Sequence, residues 1–435
     1  MSRNEIQRFF WDFIKEYCLL NRTAVSEDTD ELIQGIQNEL DCNTLEIPSG
    51  SECLTWTIPK FWKVHEAYLA QMDGRRVIDF RNNPLHLWTH SITFQGELDH
   101  SVLDDHLYYD IEHPDCIPYH YRNGYRFDAE EWGFCLSYND YLQLNDDKYY
   151  VFIDTELATR ETMKVIDDLV CGNNPATIYF AAHTCHPGIA TDGLSNIAVL
   201  IALFKYLKGL ESRKYSYRLI LGPEYFAAAG FLDSTPENEI LNLKGGIYLD
   251  MLGNNQPFCY QSSFQGDSVL DNIVRNVFDH HVPDHRATGF RGVWGNDEMF
   301  YNGTGFMIPS LGIVCDRHPE YHLHTDNLNL VNLNQLEFAL ELIKKIVSAL
   351  EDDYTPIPRF KGPIYLSRYD LYIDPKEDRK GYANIQNIQF LMDGKRSCFE
   401  ISHELDVDFF FVKSFCDSLL QTGLIERQLD DLFPK

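Results

Sequence analysis

No stretch of this chain reaches the roughly 18 consecutive apolar residues of a membrane-spanning helix, so no such span is expected. Basic residues are scarce: 37 Lys and Arg stand against 66 Asp and Glu, a formal net charge of −29. A chain so charged repels phosphate backbones and anionic lipid at long range, which disfavours nucleic-acid and membrane partners. Glycine-rich phosphate loops of the Walker or dinucleotide kind are missing, so a nucleotide cofactor has no support, and no internal repeat points to a solenoid. The 11 cysteines are odd in number and never spaced CxxC. That excludes a zinc ribbon and a secreted disulfide scaffold, and suits buried thiols in a reducing cytoplasm. The opening "MSRNEIQRFFWDFIKEYCLL" is charged throughout and reads as an amphipathic helix rather than a signal peptide, so a cytoplasmic location is expected.

What is present is ample core. With 435 residues, 44% of them hydrophobic, the chain suits two or three domains. Two helical patterns occupy residues 1–53. From Leu54 to Phe127 short aromatic and β-branched runs such as "TWTIPKFW" and "LWTHSITFQGEL" alternate with turn signals, which predicts a small β-rich domain inserted into a larger one. Over 128–352 the runs "YYVFIDTEL", "TIYFAAH", "YRLILG", "GGIYLDMLG" and "FMIPSLGIV" are interleaved with helical patterns, the signature of an α/β/α sandwich around a largely parallel sheet. A proline-marked linker follows at 353–365. The helix, turn, longer helix and apolar tail of 366–435 have the layout of a winged helix-turn-helix. Residues 361–435 hold 10 Lys and Arg against 13 Asp and Glu, so the reading favours a protein contact or packing role there over DNA binding.

In open α/β sheets ligands bind beyond the carboxyl ends of the strands, so polar residues that directly follow apolar runs are the candidates. Four places qualify: His183 after "TIYFAA", Glu224 after "RLILGP", Asp250 ending "GGIYLD", and His322 in "PEYHLHTDN". Asp192, in "GIATDGLSN" before the next helix, can reach back over the same ends, and His186 lies three residues beyond His183. Imidazoles and carboxylates in that number are what one zinc ion, or two bridged by a carboxylate, require.

The ordered motifs "AAHTCHP…TDGLSN", "LGPEYFAAAG", "YLDMLGN", "GNDEMFYNGTGFMIPSLGI" and "PEYHLHTDN" resemble the co-catalytic zinc aminopeptidase superfamily. More closely, "TWTIPKFWKVHEAYLAQMDGRRVIDF", "WGFCLS" and "HTCHP" resemble a bacterial domain-of-unknown-function family with an aminopeptidase-like core, an inserted small β-domain and a C-terminal winged helix. The resemblance implies an aminopeptidase-like (phosphorylase/hydrolase-like) fold and one or two Zn2+ ions. It implies that His183 and Asp250 hold one metal, Glu224 and His322 the other, and that Asp192 bridges. His186 stays open as a replacement for His183 or an addition to it, and His324 ranks behind His322 because only His322 has the superfamily spacing to Asp326.

Two departures from the superfamily bear on chemistry. Pro223 stands where a general-base glutamate is expected, and Cys185 where an aspartate orients the metal-bound histidine. Glu298, at the place of the histidine of the superfamily's "SDH", and its neighbour Asp297 are the catalytic candidates for the missing base; His186 and His324 are further ones. The function implied is a zinc-dependent hydrolase cleaving a peptide or amide bond near a free amine. Its substrate would be a small peptide or aminoacyl-amide, in a surface-polysaccharide or secondary-metabolite setting. The alternative is a non-catalytic metal-binding or interaction protein that keeps the fold; a homo-oligomer is left open.

Overall fold

The apolar runs between turn signals become the strands of one eight-stranded sheet. The computed structural model describes residues 2–429 and 431–433. Its sheet strands are β1 (Thr44–Pro48), β2 (Thr162–Val170), β3 (Thr177–His183), β4 (Ser216–Gly222), β5 (Leu243–Asp250), β6 (Phe258–Gln261), β7 (Arg286–Thr288) and β8 (Ser310–Cys315). They lie in the order β1-β2-β4-β3-β5-β8-β6-β7. The four central strands, β4, β3, β5 and β8, are parallel; β1, β2 and β6 each pair antiparallel with a neighbour, so the sheet is mixed, with a parallel heart. The short outer strands "TLEIP", "FCYQ" and "RAT" carry too few residues for an apolar period to show in the sequence.

Every residue of β3 and of β4 is buried, as expected of strands covered on both faces. Alternation sorts their side chains between two cores. Ile178, Phe180 and Ala182 face the helices α1 (Arg3–Tyr17), α2 (Glu27–Glu39), α3 (Leu194–Gly209) and, further along the sheet, α5 (Val269–His281) and α6 (Leu333–Asp352). Tyr179 and Ala181 face the other side, where α4 (Phe226–Ser234) contributes Phe226, Phe231 and Leu232. Helices on both faces of the sheet make an α/β/α sandwich.

A second sheet of four antiparallel strands runs Arg76–Asp79, Phe61–Gln71, Lys148–Ala158, Phe94–Asp99. The run "YYVFIDTEL", read from its pattern as part of the sandwich, pairs instead with Phe61–Gln71 along almost its full length. Its alternate residues Tyr149, Val151 and Ile153 fill a separate small core with Trp62, Leu69 and Phe134. Near the C-terminus lie α7 (Arg379–Leu391), α8 (Cys398–Leu405) and α9 (Phe409–Gln421), and the strand Ile425–Gln428 pairs antiparallel with Thr355–Pro358. Ile388, Ile401, Phe409 and Phe415 join the same apolar cluster as α5 and α6. Asn276 of α5 fastens the packing, donating to the Val407 carbonyl at 2.9 Å and accepting from the Phe409 N–H at 3.0 Å. Among the described residues no helix is long and apolar enough to cross a membrane.

Candidate metal centre and active site

Parallel pairing brings the strand ends together. His183 is level with Gly222 of β4, so Glu224 lies two residues beyond it, and the register Ala181 to Tyr248 sets His183 beside Asp250. The loop after β3 returns Asp192 to the same place through Gly193, whose φ of +104° and tight seat against His183 leave no room for a side chain: a Cβ would lie 2.8 Å from the His183 carbonyl oxygen. Asp326 accepts from the Thr191 N–H and hydroxyl, both at 2.8 Å, and so ties the His322 loop to the Asp192 loop.

Among the described residues three donor groups result: His183 with Cys185 and His186, and two mixed imidazole–carboxylate groups that share Asp192. In one, His183 Nε2 lies 2.8 Å from Asp192 Oδ1 and 3.4 Å from Asp250 Oδ1. In the other, Asp192 Oδ2 faces His322 Nε2 at 3.2 Å and His186 Nε2 at 3.9 Å. His183 Nε2, His322 Nε2 and Asp192 Oδ2 are buried atoms without an aligned hydrogen-bond partner, although they converge. Buried polar atoms are normally satisfied, so atoms that converge without hydrogen bonding suit a shared cation. The ligand chemistry, imidazole with carboxylate, fits zinc.

On their far sides His183 Nδ1 and His186 Nδ1 are 3.1 Å apart, with the Cys185 thiol 3.7 and 3.4 Å from them. A neutral imidazole that ligates through Nε2 carries its proton on Nδ1, and two such protons cannot share a 3.1 Å gap. While that contact lasts, one ring offers an Nε2 lone pair and the other an Nε2 proton. Cys185 also accepts from the Glu224 N–H at 3.4 Å, joining the histidine loop to the end of β4.

The carboxylates sort differently from the grouping implied by resemblance. Glu224 stands outside both donor groups; its Oε2 accepts from the Tyr125 hydroxyl at 2.9 Å, and His186 occupies the second group in its stead. Desolvation, reinforced by Asp192 and Asp250 and opposed by His183, raises the pKa of Glu224. Glu298 and Asp297 are buried beneath the site rather than on its wall. Glu298 accepts from the Asn296 N–H at 2.9 and 3.1 Å and lies 3.4 Å from Arg291, while burial pushes its pKa up to about 7. Asp297 accepts from the Tyr225 N–H, and burial holds it well above the usual carboxylate range. His324 faces away, its Nδ1 accepting from the Ile117 N–H at 3.0 Å.

Above the donors lies a cavity of about 490 Å³. His186, Asp192, Asp250, Glu224 and His322 form its polar lining, and tyrosines 121, 125, 225 and 321 with Trp294 supply aromatic surface. His186, Tyr225, Met251 and His322, all on this lining, have φ between +56° and +82°. Left-handed backbone at non-glycine residues costs about 1–3 kcal/mol each and survives only where its surroundings over-determine it. Tyr121 and Tyr125 come from the segment that links the strands Phe94–Asp99 and Lys148–Ala158 of the second sheet, and it is stitched to the His322 loop: the Tyr119 N–H donates to the His322 carbonyl at 2.8 Å, and the His324 N–H to the Ile117 carbonyl at 3.0 Å.

Three contributors escaped the sequence reading. Arg22 binds the histidine loop from below, Tyr125 holds Glu224, and Asn296 donates to Asp250 Oδ2 at 2.8 Å. The only local signal was "YHYRNGYRF", an aromatic and basic cluster unusual in so acidic a chain.

Residues 11–353 match the family described as a domain of unknown function, DUF4910. The chain belongs to this family. A Clostridium acetobutylicum protein provisionally named as a polysaccharide biosynthesis protein with an aminopeptidase-like domain is 27% identical over 425 residues, covering 96% of this chain and 95% of that protein. The crystal structure of a protein provisionally called a peptidase, from the same species, superposes with a TM-score of 0.88 at 25% identity, covering 98% of this chain and 97% of that one. A zinc aminopeptidase from Bacillus subtilis gives a TM-score of 0.58 at 14% identity, over 80% of this chain and 94% of its own. This DUF4910 member therefore has the aminopeptidase-like α/β/α fold, as its motifs led us to expect.

Proposed function

We propose that this chain is a zinc-dependent hydrolase that cleaves a peptide or amide bond beside a free amine. The observation that carries the reading is the pair of donor groups sharing Asp192 on the floor of an aromatic cavity. His183, Asp192 and Asp250 would hold one ion; His186, Asp192 and His322 would hold a second once the two imidazoles part. Zinc bound there polarises a carbonyl and lowers the pKa of water toward about 7.

The chain's own residues supply the rest. Glu224 lines the cavity, is free of both donor groups and sits beside them, so it is the carboxylate placed to take a proton from the attacking water and return it to the leaving amine. The Tyr125 hydroxyl fixes its orientation. Tyrosines 121, 225 and 321 and Trp294 exclude water and offer ring faces to a substrate ammonium group. The setting suggested by the Clostridium relative's name, polysaccharide biosynthesis, belongs to the same proposal.

The second reading is a metal-binding protein without turnover, favoured by Pro223 at the place of the superfamily base and by the burial of Glu298 and Asp297 off the wall. Elemental analysis followed by turnover of a panel of aminoacyl amides, before chelation and after zinc is restored, separates the two. Zinc-dependent release of amine supports the hydrolase; a zinc-loaded chain that releases none leaves the second reading standing.

A further inference from the structure

Two arginines line the cavity in a chain where acids outnumber bases 66 to 37. Arg126 is engaged, its Nη1 donating to Glu131 at 2.8 Å. Arg122 is not: it is exposed, and among the described residues no carboxylate pairs with it. It opens a short 3₁₀ turn, Arg122–Tyr125, whose Tyr125 hydroxyl is bonded to Glu224. Upstream, Pro118 bridges to Leu323 and Tyr121 packs against His322 with ring centroids 5.2 Å apart. The turn is thus pinned at both ends to the site, and its guanidinium stays at the cavity rim.

We propose that Arg122 receives a carboxylate of the substrate, which makes the preferred substrates short zwitterions: a free amine on one side of the scissile amide and a carboxylate on the other. This rests on the hydrolase reading above. On that reading Asp192 and Asp250 are engaged by the cation and Glu224 by the attacking water, so the floor leaves a substrate carboxylate to be met at the rim. The unpaired guanidinium there offers two parallel N–H donors that match a carboxylate. The cavity volume, about 490 Å³, sits in the range of roughly 300–1,000 Å³ typical of small-molecule sites, so the two ends of one short substrate span it.

The test uses the zinc-loaded full chain with matched pairs of probes: a panel of aminoacyl-alanines and the same compounds as aminoacyl-alaninamides, which lack only the carboxylate charge. The wild type is expected to favour the acids by roughly 10–100-fold in kcat/KM, the worth of a charge-assisted bidentate contact. Arg122→Ala should lose that preference through KM with kcat little changed, and Arg122→Lys should keep part of it. Equal kcat/KM for acid and amide in the wild type, or an undiminished preference in Arg122→Ala, overturns the proposal. If no pair is turned over, the hydrolase reading fails on its own and calorimetric titration of the same pairs decides the arginine. Tighter binding of the acid, lost in Arg122→Ala, supports it; equal binding, or none, overturns it.

Discussion

Arg22 Nη2 donates to the carbonyl oxygen of His186 at 2.7 Å, and the guanidinium that makes this bond is fully buried. Nη2 also reaches the Ile189 carbonyl at 2.6 Å and Nη1 the Thr184 carbonyl at 3.2 Å. One side chain from the α1–α2 connection therefore fixes the whole loop that carries His183 and His186. Among the described residues no carboxylate accepts from it; its acceptors are neutral carbonyls, with the Asp192 charge nearby.

Replacing this arginine tests the clamp. Arg22→Met leaves three buried acceptors without a donor, so we expect a loss of roughly 2–5 kcal/mol in urea denaturation. Zinc affinity, measured by competition with a chelator, should fall at least about tenfold, because the histidines lose their common support. Arg22→Lys should recover part of both. Unchanged zinc affinity in Arg22→Met would show that the loop holds its shape unaided.

Asp192 is the one residue common to both mixed donor groups. Asp192→Ala is expected to empty at least one site and to weaken the other, since the shared carboxylate offsets the repulsion of two cations as well as ligating them. His322→Ala should reduce the zinc content of one group, whereas His324→Ala, which removes only an acceptor for the Ile117 N–H, should leave it unchanged. Elemental analysis of the purified variants reads these outcomes, and full zinc retention in Asp192→Ala would contradict the sharing.

The assignment of the base separates two carboxylates. Glu224→Gln should retain metal and fold yet lower kcat by roughly 10²–10⁴-fold, the usual value of a positioned general base. Glu298→Gln should change kcat only a few-fold, because Glu298 turns to the Asn296 N–H and Arg291 rather than to the cavity. The opposite ranking in steady-state kinetics would return the role to Glu298.

Glu298 has a consequence for stability instead. Its folded pKa is raised to about 7 by burial, above the ordinary 4.5. The folded chain thus binds the proton more tightly than the unfolded chain, and the stability present below pH 4.5 is lost as pH rises through about 7. Glu298→Gln has no charge to bury, so its advantage over the wild type should appear between pH 5 and 8 and level off at about 1–3 kcal/mol. Parallel denaturation curves at all pH values would show that the carboxylate is ionised in the fold at no cost.

Local periodicity was enough for the parallel heart of the sheet and for the residues at its edge. β3, β4 and β5 carry the apolar runs 178–182, 219–221 and 247–249 toward their carboxyl ends, and such runs end where the sheet ends, so the polar residues that follow them, His183, Glu224 and Asp250, arrive at one rim. The division of labour among them was decided by tertiary structure. Whether His186 or Glu224 completes the second donor group turns on a left-handed backbone at His186 and on the Tyr125 hydroxyl, 99 residues from Glu224 in the chain. Arg22 reaches its carbonyls across 162 to 167 residues. Strand ends follow from hydrophobic pattern, a property of neighbouring residues; the grouping of the donors, the clamp and the cavity wall follow from distances of about 3 Å between segments remote in sequence, which no local pattern encodes.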